Sequence, residues 1–166
     1  IQQASAVSAV SEQAQEPYVP IFPDRIVVDR IGLDLPVSNP QTRDINALDE
    51  ELKSAVVRYP DSAGLGQDQG NTLIFGHSSY LPIVRNKLFK AFNEIQNLNV
   101  GETVQAISGD EVYEYRVSRV YKASAEEDSI PLGVSKHRLT LLTCDSFGKK
   151  SDRYIVEAEF VGKKLD

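Results

Sequence analysis

The chain has 166 residues, 41% hydrophobic and 25% charged, which fits one folded domain with a real core and excludes a disordered chain or a fibrous repeat. Eighteen basic residues against 24 acidic ones leave a net charge of −6, the wrong sign for holding phosphate backbones through a basic surface. No nucleic-acid partner is therefore expected.

Methionine is absent even at position 1, so an upstream segment carrying any anchor or export signal is expected. No window approaches the roughly 18 to 20 consecutive apolar residues of a membrane span. The single Cys144 cannot form an internal disulfide. It is either a small core residue or a nucleophile.

Residues 1–20 are rich in Ala, Ser, Gln and Val, carry only Glu12 and Glu16 as charges, and end in Pro17-Tyr18-Val19-Pro20. They read as a stem or linker, with residues 1–23 assigned to it and 24–166 to the folded domain. Ile26-Val27-Val28 and the run 33–37 read as two short strands joined tightly through Gly32, because β-branched residues cluster on both sides of it. Residues 46–52 carry apolar positions at helical spacing with acids in the first turns, which predicts a short helix. Residues 55–59 predict a third strand, and 61–70 a Gly- and Asp-rich loop. That loop lacks the lysine and the following helix of a phosphate-binding loop and reads as a flexible turn. The apolar run 71–76 predicts a buried strand.

Leu88, Phe92 and Ile95 recur at i, i+4 and i+7 and predict a second helix over 88–95. Residues 103–107 and 111–121 predict two strands joined by Ser108-Gly109-Asp110, the second alternating apolar with polar residues. Residues 139–143 and 154–161 supply the last two. Strands following strands, with two short helices in the connections, predict an all-β antiparallel barrel or sandwich rather than a doubly wound sheet.

The chemistry is concentrated at strand ends. Cys144 ends the run Leu139-Thr140-Leu141-Leu142-Thr143, where a buried strand emerges into a polar loop, and His77 follows another apolar strand at the same kind of exit. Arg153 opens the last strand, where an intervening loop between antiparallel neighbours would bring it beside Cys144. A thiolate attacking a carbonyl, a histidine giving its proton to a leaving amine and a cation holding the oxyanion form a workable acyl-transfer set. Spacing alone leaves this a hypothesis. His137 precedes the Cys144 strand at its far end, about 20 Å away at about 3.3 Å per residue, and is assigned to a solvated loop.

Thr140-Leu141-Leu142-Thr143-Cys144 resembles the TLxTC signature of the sortases, Arg153 stands at a common sortase distance after it, and Gly76-His77 follows a strand as the family's histidine does. The resemblance runs from Asp24 to Val161. It implies a closed eight-stranded β-barrel and a bacterial cysteine transpeptidase held on the extracellular face of the cell membrane by an N-terminal anchor. Carried over residue by residue, it makes Cys144 the nucleophile, His77 the acid and base, and Arg153 the oxyanion or substrate-binding group. Thr143 would line the substrate groove, and the backbone N–H of Asp145 would be a second oxyanion donor. The implied reaction cleaves an LPxTG-like C-terminal sorting motif of a surface protein, leaves a thioester on Cys144 and resolves it with an amine such as a peptidoglycan precursor or a pilin lysine.

Phe22-Pro23-Asp24 holds the residues of the lid motif found in pilus-building members in the wrong order, so no lid is expected, and a single-anchor enzyme attaching proteins to the wall is preferred. Pilin polymerisation, a cysteine peptidase and a noncatalytic peptide-binding barrel are the alternatives. No cofactor is assigned. Asp61 and Asp68, with Glu126, Glu127 and Asp128, occupy loops where some sortases collect calcium ligands, and such acid-rich loops also read as solvated charge.

Overall fold

The computed structural model describes residues 19–79, 85–124, 130–144 and 153–165. Eight strands, β1 (Arg25–Val28), β2 (Leu33–Ser38), β3 (Val56–Arg58), β4 (Asn71–His77), β5 (Thr103–Ser108), β6 (Glu111–Ala123), β7 (Arg138–Cys144) and β8 (Arg153–Leu165), close into a barrel. Around the barrel their order is β1-β2-β3-β4-β7-β8-β6-β5. The all-β, eight-stranded expectation holds.

The antiparallel expectation needs correction, because β2 pairs with β3 and β4 with β7 in parallel. Each parallel pair is separated in sequence by a crossover that carries helical turns, which is what parallel neighbours require. For β2 and β3 the crossover holds the α-helix α1 (Ile45–Glu51). Asp44 caps that helix by accepting from the Ala47 N–H at 3.0 Å, and no acid lies in its first turn. The expected acids Asp49 to Glu51 fall in its C-terminal half instead. The helical repeat over 88–95 is realised as two 3-10 turns, Lys87–Lys90 and Ile95–Asn97, in place of one α-helix. Phe92 and Ile95 still point inward and are fully buried.

Two apolar layers explain why the central strands read as continuous hydrophobic runs. Val56, Ile74, Leu139, Leu141, Val156 and Ala158 belong to the cluster that fills the barrel. Their strand neighbours Val57, Leu73, Phe75, Leu142 and Ile155 belong to a second cluster on the outer face, covered by Leu48 of α1, by Leu52 just after it, and by Ile130 and Leu132. Alternate side chains of one strand serve opposite faces, so β4 is buried on both.

Residues 1–18, most of the expected stem, lie outside the described residues. Ile21 forms an isolated bridge with Leu65, and the Phe22 ring lies 3.9 Å beneath the guanidinium of Arg58. Gly32, at φ 66°, supplies the left-handed residue that turns β1 into β2. No helix among the described residues is long and apolar enough to cross a membrane.

Candidate active site

Parallel pairing of β4 with β7 carries both strands to the same edge of the barrel. Their register runs from Asn71 opposite Arg138 to His77 opposite Cys144, so the last residue of one strand is the partner of the last residue of the other. Neighbouring strands lie about 4.8 Å apart. Across the other side of β7, β8 pairs antiparallel with Leu142 opposite Ile155. Continuing that register sets Arg153, the first residue of β8, beside Cys144. The Tyr154 N–H donates to Thr143 Oγ1 at 2.9 Å and ties the two strands at this level. The backbone thus brings positions 77, 144 and 153 to the ends of three adjacent strands at one rim. Asp145, the expected second oxyanion donor, lies outside the described residues.

The local structure after β4 holds His77 from behind. The Phe92 ring rests on the bare Cα of Gly76, and the Phe92 N–H donates to the His77 carbonyl at 2.9 Å. The imidazole meets the Phe89 ring edge to face, with centroids 5.2 Å apart. Two residues on, the chain is clamped by Asn93, whose amide accepts from the Ser79 N–H at 2.8 Å and donates to the Ser79 carbonyl at 3.0 Å. Phe89 and Asn93 were not singled out from sequence. A Phe in a helical repeat reads as core and an Asn in a turn as a cap, and only the tertiary fold shows that both brace the histidine segment.

Two recesses flank this rim on opposite faces of the wall. On the outer face, Leu73 and Phe75 of β4, Ile130, Leu132 and Tyr59 enclose an apolar cleft of about 190 Å³ with half-buried Arg153 on its border. At the barrel mouth, Ser78, Ser79, Gln96, Lys122, Thr143 and Tyr154 surround a polar pocket of about 180 Å³ that Asn93 also borders. Thr143 is buried and lines this second pocket. The arrangement offers an apolar seat ending at a cation on one side and hydroxyl and amide groups on the other, with the strand ends between them.

The expectation of a solvated His137 is corrected. It does stand at the opposite end of β7 from Cys144, but it is only 5% exposed. Its Nε2 lies 2.5 Å from the Tyr115 hydroxyl, and the Tyr115 and Phe160 rings pack around it at 5.3 and 5.6 Å. Burial holds its pKa below the ordinary histidine range, opposed by the nearby Gly70 carbonyl, and Nδ1 has no hydrogen-bond partner among the described residues. The turn that leads into β7 folds back over the barrel end, a tertiary effect that leaves no local sequence mark. Asp61 pairs with Arg43 at 3.2 Å, and no cluster of three metal-ligating side chains occurs among the described residues. Glu126, Glu127 and Asp128 lie outside them.

The profile of the sortase domain family matches residues 26–161. Sortase A of Bacillus anthracis is 26% identical over 140 residues, which is 84% of this chain, and the chain spans 60% of that relative's length. Among solved structures, sortase A of Listeria monocytogenes superposes with a TM-score of 0.65 at 19% identity, covering 89% of this chain and 92% of that one. Sortase E of Streptomyces avermitilis superposes with a TM-score of 0.66 at 24% identity, covering 89% and 93%. The family match takes in 136 of the chain's 166 residues, and the chain belongs to the sortase family.

Proposed function

We propose that the protein is a cysteine transpeptidase that cleaves a C-terminal sorting motif of the LPxTG kind and joins the upstream part to an amine. The observation that carries this reading is the register: His77 and Cys144 end two parallel neighbours, and Arg153 begins the strand on the other side. Acyl transfer needs those three groups within reach of one carbonyl, and adjacent strand ends meet that need on a rigid scaffold.

In the first half-reaction the Cys144 thiolate attacks the carbonyl before the scissile bond, Arg153 donates to the oxyanion, and His77 protonates the departing amine as the C–N bond breaks. In the second, an incoming amine attacks the thioester, the C–S bond breaks, and the proton lost by the amine passes through His77 to the thiolate. The cleft of Leu73, Phe75, Ile130 and Leu132 suits the apolar residues of a sorting motif, with the scissile carbonyl directed toward Arg153. Thr143 would act by fixing the β7–β8 junction through its bond to Tyr154 and by lining the mouth pocket. Asp145 would contribute its backbone N–H. The natural donors are surface proteins, the acceptor a peptidoglycan precursor or a pilin lysine, and the enzyme works on the extracellular face of the membrane, held by an N-terminal anchor. The folded unit is assigned to residues 24–166, with 1–23 as its stem.

Mass spectrometry of the protein incubated with LPxTG-like peptides, with and without an oligoglycine, tests the reading. A thioester adduct on Cys144 and a new amide formed only when amine is present are expected. Cleavage that is indifferent to the amine would make the protein a peptidase, and binding without an adduct would make it a noncatalytic barrel.

A further inference from the structure

His77 is the last residue of β4, so its side chain stands at the barrel rim, half-buried. An imidazole so placed has three staggered wells about χ1 and roughly two orientations about χ2, about six in all. Proton transfer to a leaving amine uses one of them, because the ring nitrogen must come within hydrogen-bond reach of the departing nitrogen. Residues 86–93 restrict the choice at three points. The Phe92 N–H holds the His77 carbonyl, Asn93 clamps Ser79, and the Phe89 ring meets the imidazole itself, at 5.2 Å between centroids and 85° between planes.

Phe89 is in turn held from outside the histidine segment. Asn86 Nδ2 donates to the Lys53 carbonyl at 2.6 Å, just beyond α1, and Asn86 Oδ1 accepts from the Leu88 N–H at 3.0 Å. The Phe89 N–H donates to the Asn86 carbonyl, also at 3.0 Å. This clip fixes the 3-10 turn Lys87–Lys90, and the ring with it, against the crossover that carries α1. Among the described residues Phe89 joins neither apolar cluster of the barrel, unlike Phe92, so core packing does not account for an aromatic ring at this place. Rings at this separation and near-perpendicular angle attract each other beyond the area they bury.

We infer that Phe89 is a positioning residue that turns the His77 imidazole toward the leaving amine, an inference that rests on the transpeptidase reading above. The step it serves is the first half-reaction. There the Cys144 sulfur forms the C–S bond, the C–N bond breaks, and the proton on His77 passes to the amine nitrogen. A donor whose leaving group departs without a proton has no use for an oriented acid. Loss of the Phe89 ring should therefore slow acylation by a peptide and spare acylation by an aryl ester of the same acyl segment, in which the C–S bond forms, the C–O bond breaks and a phenolate leaves.

The test is single-turnover acylation of Cys144, followed by mass spectrometry, with an LPxTG-like peptide and with the nitrophenyl ester of its LPxT segment. Phe89→Leu should slow peptide acylation about sixfold, the dilution of one productive orientation among those a free ring visits. The peptide concentration giving half the maximal rate should not change, and acylation by the ester should match the parent protein. Phe89→Tyr, which keeps the ring, should behave as the parent with both donors. Should the Leu variant melt early, Phe89→Met, which keeps flexible apolar bulk without a ring, carries the same comparison. Parent-like peptide acylation in the Leu variant, equal slowing with both donors, or a Tyr variant as slow as the Leu variant would overturn the assignment. Failure of the parent protein to form any thioester from the peptide would instead reject the transpeptidase reading itself, so the two failures are distinguishable.

Discussion

Phe92 and Gly76 fit together so closely that a Cβ built on Gly76 would lie 2.6 Å from the Phe92 ring. The ring is fully buried and its own N–H is bonded to the His77 carbonyl, so it cannot swing aside without moving the histidine segment. Gly76→Ala should therefore cost about 1 to 3 kcal/mol through overpacking. That corresponds to a fall in Tm of about 3 to 10 °C for a domain of this size. Transfer activity should fall as well at temperatures where the variant is still folded. Phe92→Leu in the Ala background should recover part of both. A Gly76→Ala protein that melts with its parent would show that the ring has room the structure does not reveal.

Cys144→Ala should abolish the covalent peptide adduct, since no second thiol exists in the chain. His77→Ala should lower turnover about 10² to 10⁴-fold, the contribution of a positioned acid–base group. His137→Gln should leave turnover near that of the parent at pH 7.5, because its position at the far end of β7 is remote from the reacting carbonyl. Steady-state rates of the three variants check this, and a His137 loss matching that of His77 would relocate the site.

The strands were legible from sequence because each is a short β-branched or alternating run bounded by Gly, Pro or Asp, and all eight appear within a few residues of their expected places. Who pairs with whom was not. The pairing of Leu73 with Thr140, or Val37 with Val56, depends on the closure of the barrel, and a run buried on both faces looks alike in a parallel or an antiparallel setting. The candidate residues 77, 144 and 153 were found at strand exits, whereas the parallel register that aligns the first two was beyond local pattern. Asn93 and Phe89 went unnoticed for the same reason, since each has an ordinary role in a turn until the fold sets it beside the histidine segment.

Arg153→Lys keeps the positive charge at the start of β8 but loses the planar fork of donors. If the arginine holds the oxyanion by directed hydrogen bonds, acylation should slow about 10²-fold, as when an oxyanion donor is removed elsewhere. The apolar cleft should still bind the peptide, so KM should change little. Single-turnover acylation rates with the Lys variant decide the matter. A variant acylating at nearly the parent rate would reduce the role of Arg153 to a diffuse positive field and leave the roles of Cys144 and His77 standing.

Protonation of His137 should weaken the barrel on mild acidification. In the folded state burial among Tyr115 and Phe160 keeps the imidazole neutral below its usual pKa, while in the unfolded chain it binds a proton near pH 6.5. Below that pH the unfolded state holds more protons than the folded one. The stability contributed by the neutral, Tyr115-bonded imidazole is therefore fully present above about pH 7 and is lost as the pH falls toward the folded-state pKa, with a slope of at most about 1.4 kcal/mol per pH unit. The surface carboxylates act in a lower window. Asp34, hydrogen-bonded to Arg25, and Glu114, hydrogen-bonded to Lys164, have lowered pKa values, so their contribution is present above the ordinary carboxylate pKa and is lost only below about pH 4. His137→Gln keeps a polar partner for the Tyr115 hydroxyl and removes the titration. It should lower stability at pH 7.5 yet flatten the dependence between pH 7 and 5, as measured by urea unfolding at several pH values. Parallel curves for parent and variant across that range would mean that His137 takes up its proton without disturbing the fold.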